Sequence, residues 1–291
     1  MVGPLVVGVD GSDASFRALD WAADEAMLHE LPLRLVYASR WERYEGTELA
    51  LGIDRPAERV LADNIVGGAA ERATLRHADL DVSTQVLADD PEAVLLREGL
   101  DASAVVVGSY GRGAFTGLLL GSVGLAVAAR AQCPVIVVRG DKAGLEGTHE
   151  RILLGVGDAA KGSEAVRFAF REAEARGCAL EAVRAWRSPA HESTDHPLLA
   201  GEPERYHEDR AAALLDEGLA EEVGEHPAVR VHRATVEGPA HRVMVHRSAA
   251  ADLLVIGAQR RHSQFGLQLG RVAHAALHHA ACPVAVVPQP A

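Results

Sequence analysis

The sequence predicts an α/β protein of two tandem domains, each a doubly wound, parallel, five-stranded sheet. Short apolar runs alternate with segments of helical periodicity along the chain, which is typical of βαβ units. The first half also recurs in the second: Val7-Gly8-Val9 returns as Leu154-Gly155-Val156, and Cys133-Pro134-Val135 returns as Cys282-Pro283-Val284. A length of 291 residues, 48% of them hydrophobic, suits two domains that each bury a core.

Each element of the first half has its own pattern. The apolar run Leu5–Val9 predicts the first strand, and an alanine-rich helix follows. The residues expected on one apolar face of that helix are Ala18, Leu19, Ala22, Ala23, Ala26 and Met27. The remaining predicted elements are a strand at Leu33–Ala38, a helix through Ala57–Leu75, a strand near Val82–Leu87, a helix from Pro91, a strand at Ala104–Val107, a helix opening at Gly121-Ser122 and a strand at Val135–Val138.

Glycines and polar segments set the expected domain limits. Residues 141–150 are predicted to link a first domain, 1–140, to a second, 151–291. Two polar stretches, Trp41–Pro56 and Arg187–Tyr206, are expected as loops above the sheets. The predicted strands of the second half include Ile152–Val156, Leu253–Ile256 and Val284–Val287.

Composition excludes several classes of protein. A formal net charge of −12 argues against sequence-independent binding of nucleic acid or anionic membranes. The uncharged stretch Gly113–Ala129 contains four glycines and is expected to be a loop and a buried helix, not a membrane span. The first residues show no signal peptide, and three cysteines without a CxxC pair indicate a reducing compartment, so a cytoplasmic location is expected. Cys133 and Cys282 are interpreted as small buried residues.

A glycine-rich motif follows the strand Ala104–Val107. Its spacing is Gly108-x2-Gly111-x9-Gly121-Ser122. Glycines let a backbone take positive φ and approach a ligand closely, and the first amides of the helix at Gly121-Ser122 have no intrahelical partners. The order strand, glycine loop and helix start therefore predicts a phosphate site, with an ordinary strand-to-helix turn as the alternative.

Two other phosphate motifs do not fit these residues. A Walker A loop needs a lysine before its final Ser or Thr, whereas Leu120 stands before Gly121-Ser122. The dinucleotide fingerprint needs its third glycine at Thr116, and it belongs after the first strand of a βαβ unit.

The motif resembles the ATP-binding signature of the universal stress protein family, and the resemblance extends over nearly the whole chain. It implies a Rossmann-like fold of the adenine-nucleotide α-hydrolase type, and a first domain that holds ATP, with Mg²⁺. In that family the glycine amides and the final hydroxyl hold the phosphates, and an aspartate lies against the nucleoside. The residues implied here are Val9, Asp10, Gly11, Ala38, Gly108, Ser109, Gly111, Arg112, Gly113, Gly121, Ser122 and Val123.

Asp10 has two interpretations. In a doubly wound sheet, ligands bind beyond the carboxyl ends of the strands where the connection direction reverses, so Asp10 is expected beside Gly108 and facing a nucleoside. The alternative is that Asp10 and Ser12 simply cap the following helix.

The second half departs from the motif. Gly111, Gly113 and Ser122 are replaced there by Arg260, His262 and Arg271, and Asp10 by Gly157. Bulky side chains in the loop predict that the fold is retained and the ATP site degraded, which gives one nucleotide per chain. The alternative is that Arg260 and Arg271 hold a different anion.

Other chemistry is not specified. His274 and His278 share a helix face at i, i+4 but lack a third ligand, so no metal site is predicted. No frame for nucleophilic catalysis is recognisable, and no catalytic residue is assigned.

Three classes of function stay open at this point. The first is a regulatory protein that acts under stress, in which ATP changes which partner is bound. The second is a slow ATPase or self-phosphorylating enzyme. The third is a scaffold in which the final strands of the two halves form an internal pseudo-dimer, as family members commonly do, with a possible further homodimer.

Overall fold

The computed structural model describes residues 3–39, 56–110, 120–158, 163–187, 203–259 and 269–289. Its described residues form two compact units, the first ending at Arg139 and the second beginning at Gly140. The first unit contains β1 (Leu5–Gly8), α1 (Asp13–Leu28), β2 (Leu33–Ala38), α2 (Pro56–Arg76), β3 (Val82–Leu87), α3 (Pro91–Glu98), β4 (Ala104–Gly108), α4 (Ser122–Arg130) and β5 (Val135–Val138).

The second unit repeats this order. It contains α5 (Lys142–Leu145), β6 (Arg151–Gly155), α6 (Glu164–Arg176), β7 (Ala179–Trp186), α7 (Pro203–Glu225), β8 (Arg230–Glu237), α8 (Ala240–Arg247), a 3₁₀ turn (Ser248–Ala250), β9 (Leu253–Gln259), α9 (Arg271–His279) and β10 (Val284–Gln289). The segment expected as a linker thus includes a short helix, in which the Asp141 amide donates to the Ala281 carbonyl over 3.0 Å.

Both units have a doubly wound parallel sheet, which confirms the predicted fold class. The strand order is β3-β2-β1-β4-β5 in the first and β10-β9-β6-β7-β8 in the second. In the first unit β1 pairs in parallel with both β2 and β4, so Leu5 lies opposite Leu33 on one side and Ala104 on the other. Because the strand order reverses between β1 and β4, their carboxyl ends frame the crevice in which such sheets bind ligands.

The cores are built from the apolar runs that predicted the strands. Val6, Val7, Val105 and Val106 are fully buried, as expected for parallel strands covered on both faces. The three described cysteines are also buried and none forms a disulfide, and desolvation raises the pKa of Cys133 to about 11. This agrees with a packing role for that thiol.

Two local predictions need correction. Met27 was expected on the buried face of α1, but it is 37% exposed, whereas Ala22 and Ala26 are fully buried. Successive residues of a helix are about 100° apart around its axis, which puts Met27 roughly 90° from the centre of the buried face. Met27 is also next to the last residue of α1. The loop predicted to extend to Tyr206 ends earlier, because α7 begins at Pro203, a residue suited to the first turn of a helix.

One ion pair is reversed in sign between the two repeats. In the first, Arg34 of β2 donates to Glu98 of α3 over 3.0 Å. The matching positions in the second hold Glu181 of β7 and Arg247 of α8, which are also bonded, and Arg151 lies 3.3 Å from the same carboxylate. In each repeat the pair joins the second strand of the sheet to the same helix. If a strand residue of one repeat stood in the other, it would face a helix residue of like charge.

We expect Glu181→Gln to lower the free energy of unfolding by about 1–3 kcal/mol, because it leaves two arginines without their shared carboxylate at a site only 8% exposed. Chemical denaturation of the full chain measures this. Glu98→Gln is the matched control, with a smaller expected loss, since Glu98 pairs with one arginine, Arg34, whereas Glu181 pairs with two. An unchanged denaturation curve for Glu181→Gln would contradict the prediction.

Candidate functional site

A cavity of about 310 Å³ lies at the carboxyl ends of the strands of the first unit. Its strand-borne lining comes from β1, β2, β4 and the residues just after them: Gly8, Val9, Asp10, Val36, Ala38, Val107 and Gly108. The rest of the lining comes from helices and adjoining loops: Ser15, Pro91, Leu95, Tyr110, Gly121, Ser122, Val123 and Gly124. The position matches the crevice expected where the strand order reverses.

The cavity brings together most of the described residues that the sequence pointed to. The predicted residues that line it are Val9, Asp10, Ala38, Gly108, Gly121, Ser122 and Val123. Gly11 and Ser109 adjoin the cavity in sequence without lining it. Gly111, Arg112 and Gly113 lie outside the described residues. Their contribution to the site stays a prediction.

Asp10 both lines the cavity and supports the start of α1. Its Oδ1 accepts from the Ser12 amide over 3.0 Å and from the Ser12 hydroxyl over 2.6 Å. Ser12 is the N-cap of α1 and its Oγ accepts in turn from the Ser15 amide over 3.2 Å. The two interpretations of Asp10 are therefore compatible, since the carboxylate orients the cap while it lines the cavity.

The N-terminus of α4 faces the same space. The Gly121 amide donates to the Ser109 carbonyl over 2.8 Å, so this amide holds the two ends of the glycine loop together. The first bond inside the helix runs from the Leu125 amide to Gly121, which leaves the amides of Ser122, Val123 and Gly124 without intrahelical acceptors. These donors and the positive end of the helix dipole make this wall of the cavity attractive to an anion.

Gly108 is required for packing, not for an unusual backbone angle. No positive φ occurs at Gly108, and Gly121 has φ −63°, so neither of these glycines uses the left-handed backbone that glycine permits. A Cβ at Gly108 would lie 2.7 Å from the backbone carbon and oxygen of Ala14 and 3.0 Å from the Ser15 nitrogen. The first turn of α1 can therefore lie against the end of β4 only because residue 108 has no side chain.

Several lining residues were missed from the sequence: Ser15, Val36, Pro91, Leu95, Tyr110 and Gly124. In the sequence Val36 and Leu95 look like ordinary core residues, and their side chains are indeed only 2% and 4% exposed. Tyr110 stands inside the motif as one of its variable positions. Only the fold brings these residues to the cavity.

Comparison with known proteins places this geometry in a family. The model of the universal stress protein family matches residues 1–139 and again residues 148–288. The chain belongs to the universal stress protein family. The resemblance inferred from the glycine motif is thereby confirmed, with two tandem copies of the family's domain.

A relative of similar length agrees with this assignment, and a solved structure shares the fold. A universal stress protein of Mycobacterium tuberculosis is 32% identical over 98% of this chain and 97% of its own length. A crystal structure of a universal stress protein from Archaeoglobus fulgidus covers 99% of the chain with a TM-score of 0.71 at 17% identity, which shows the shared fold. Another from the same organism, solved in complex with dAMP, covers 48% of the chain with a TM-score of 0.37. No helix in the described parts of the chain has the length and apolar character needed to cross a membrane.

The second universal stress protein repeat fills the corresponding position with side chains. Its residue equivalent to Gly108 is Gly257, where a Cβ would meet the side chain of Gln289 at 3.1–3.3 Å. The Gln289 Oε1 accepts from the Ser163 hydroxyl over 2.7 Å, and Ser163 makes no side-chain cap bond to its own helix. Gln289 therefore lies where the start of α1 packs in the first repeat.

The Asp10 position of the second repeat is also altered. Gly157 stands there, and its carbonyl accepts from the buried Arg184 over 2.7 Å. Arg184 also bonds the carboxylate of Asp158. Arg260 and His262 lie outside the described residues, so the described features that distinguish this site from the first are Gln289, Arg184 and Arg271, which stands in place of Ser122 as the first residue of α9.

The histidine pair on α9 does not form a metal centre with other described groups. The rings of His274 and His278 are 4.5 Å apart, as their i, i+4 spacing predicts. Among the residues that the structure describes, no third histidine, cysteine or carboxylate brings a ligand atom close enough to complete a site with them.

Proposed function

We propose that the first repeat of this universal stress protein binds ATP, with Mg²⁺, and that the chain acts as a nucleotide-responsive regulator in the cytoplasm. The observation that carries the proposal is the cavity at the carboxyl ends of β1 and β4, with the N-terminus of α4 in its wall. A volume of about 310 Å³ lies within the range of small-molecule sites.

The two ends of the cavity suit the two ends of a nucleotide. Val9, Val36 and Ala38 offer an apolar surface for a base, and Asp10 offers a carboxylate acceptor for nucleoside donors. On the α4 side, the amides of Ser122 to Gly124 and the Ser122 hydroxyl are donors for phosphate oxygens. The expected role of Gly111, Arg112 and Gly113 is to extend this set of donors.

Magnesium would be bound chiefly through the phosphates. Among the described lining residues Asp10 is the one carboxylate, and it accepts two hydrogen bonds from Ser12. A protein cage for the ion is therefore lacking in the described lining, as is common for Mg²⁺ bound with a nucleotide.

A signalling role for ATP fits this lining better than rapid turnover. A general base near the phosphate end would have to come from a histidine, lysine or acid, and the described lining holds no such residue on the α4 side. Slow hydrolysis or self-phosphorylation remains the alternative in the enzyme class, and a non-binding dimeric scaffold the alternative outside it.

Calorimetric titration of the purified, nucleotide-stripped chain with ATP and Mg²⁺ tests the proposal. We expect a stoichiometry near one, because the second repeat places Gln289 over Gly257. A radiolabelled-ATP assay on the same sample should show negligible turnover. Two sites would contradict the degraded second site, steady turnover would favour the enzyme class, and no binding would leave the scaffold.

A further inference from the structure

Arg17 lies beside the cavity in an unusual setting. It is an exposed residue of α1, and its Nη2 lies 2.8 Å from the hydroxyl of Tyr110, which lines the cavity. The guanidinium carbon is 5.6 Å from the centre of the Tyr110 ring. A neutral phenol thus holds a full positive charge next to the proposed phosphate end.

Other arginines of the first unit have carboxylate partners. The ion pairs are Arg34–Glu98, Arg59–Asp63, Arg72–Asp20, Arg76–Asp24, Arg97–Asp89 and Arg130–Glu92. Among the described residues Arg17 has no such partner and contacts Tyr110 instead. Because its described partner is a hydroxyl and not a carboxylate, the binding of an incoming anion by Arg17 would break no ion pair among the described residues.

The cavity needs a cation if it is to hold several phosphates. Its described lining contains no lysine or arginine, and Asp10 adds a negative charge. The N-terminus of α4 supplies only about half an elementary charge. A single phosphate can be held by the amides of that helix, whereas the outer phosphates of a triphosphate add negative charge that Arg17 would help to neutralise, together with the proposed Mg²⁺ and the expected Arg112.

The path of α1 places Arg17 on the correct side. The first turn of α1 lies against Gly108, where a Cβ would come within 2.7 Å of Ala14. Residue 17 is three positions after Ala14 and so shares its helix face. Tyr110 follows Gly108 by two residues, and the bond from the Gly121 amide to Ser109 holds this loop beside α4.

The second repeat lacks both members of the pair. Counted from the N-caps Ser12 and Ser163, the residue equivalent to Arg17 is Phe168, which is 7% exposed. Tyr110 corresponds to Gln259. The pair is thus found in the repeat that keeps the glycine motif and is missing from the repeat that lost it.

We propose that Arg17 is the residue that selects nucleoside triphosphates over monophosphates, by leaving Tyr110 and binding the outer phosphates. The inference rests on the proposed function, since it names a further contact of the same site. Tyr110 then acts as the resting position of the guanidinium when those phosphates are absent.

Calorimetry with ATP and with AMP, on the full chain and its variants, tests this inference. For Arg17→Ala we expect ATP affinity to fall about tenfold or more, as for loss of a charge-assisted bond, and AMP affinity to stay within about twofold. Arg17→Lys, which keeps the charge, should recover part of the ATP affinity. Arg59→Ala is the matched control, because it removes an arginine that is 77% exposed and lies on α2, and it should change neither affinity.

The outcomes separate this inference from the function on which it rests. If the unmodified chain binds ATP and Arg17→Ala binds it equally well, the role of Arg17 is refuted while ATP binding stands. Equal weakening of ATP and AMP would also refute it, because the residue would then support the fold of the site. Failure of the unmodified chain to bind ATP would overturn both proposals.

Discussion

Gly108→Ala is expected to destabilise the first repeat and to weaken its binding of ATP together. The new Cβ would lie 2.7 Å from the backbone of Ala14, and a backbone cannot move aside as a side chain can. We expect the free energy of unfolding to fall by about 1–3 kcal/mol, as for other overpacked positions. Denaturation curves of the full chain measure this part of the prediction.

The loss of ATP binding follows from what the start of α1 carries. Ser12 caps that helix and bonds Asp10, and Ser15 lines the cavity, so a displaced first turn moves three groups of the site. Since every 1.4 kcal/mol corresponds to a tenfold change, we expect the affinity for ATP to fall about tenfold or more. Calorimetry at a temperature well below unfolding measures it.

The duplication provides the matched control for this variant. Gly257→Ala makes the same change at the equivalent position, but the atoms nearest to its Cβ would belong to the side chain of Gln289, at 3.1–3.3 Å. That side chain can shift, so we expect a loss of less than about 1 kcal/mol and no change in ATP binding. If the two variants behave alike, the contact with Ala14 does not explain the glycine at position 108.

Much of the fold follows from local pattern. The strands are short apolar runs, and β2, β3 and β5 begin and end at the residues that the sequence predicts. The strands β9 and β10 extend two or three residues beyond the predicted ends, to Gln259 and Gln289. Polar residues mark a strand end in sequence, but ladder pairing continues wherever the neighbouring strand is long enough.

The parts of the candidate site that could be predicted are those marked by residue spacing or by the ends of strands. Glycine spacing identified Gly108 and Gly121, and the topology rule placed Asp10 beside them. The sequence could not give the reason for Gly108, because its contact with Ala14 joins segments about ninety residues apart. Nor could it identify Gln289, whose approach to Gly257 exists only once β9 and β10 pair.

Ala38→Phe is expected to abolish ATP binding and leave the fold intact. Ala38 is the last residue of β2 and lines the apolar end of the cavity, so a phenyl ring there would occupy much of a space of about 310 Å³. We expect the affinity for ATP to fall about 100-fold or more, because the nucleoside loses its apolar surface. The ring would enter an existing cavity, so the thermal midpoint should shift by less than about 3 °C.

Ala185→Phe in the second repeat is the control for Ala38→Phe. It shows whether a phenyl ring weakens ATP binding by filling the nucleotide cavity or by disturbing a sheet in general. Ala185 occupies the equivalent place on β7, one residue before the end of the strand, and it is likewise neither fully buried nor exposed. We expect this variant to bind ATP with unchanged affinity and stoichiometry, since the second repeat has the Gln289 side chain against Gly257 and is altered at Gly157. If Ala185→Phe removed ATP binding and Ala38→Phe did not, the nucleotide would lie in the second repeat, and the anion-binding alternative for its arginines would replace the assignment to the first.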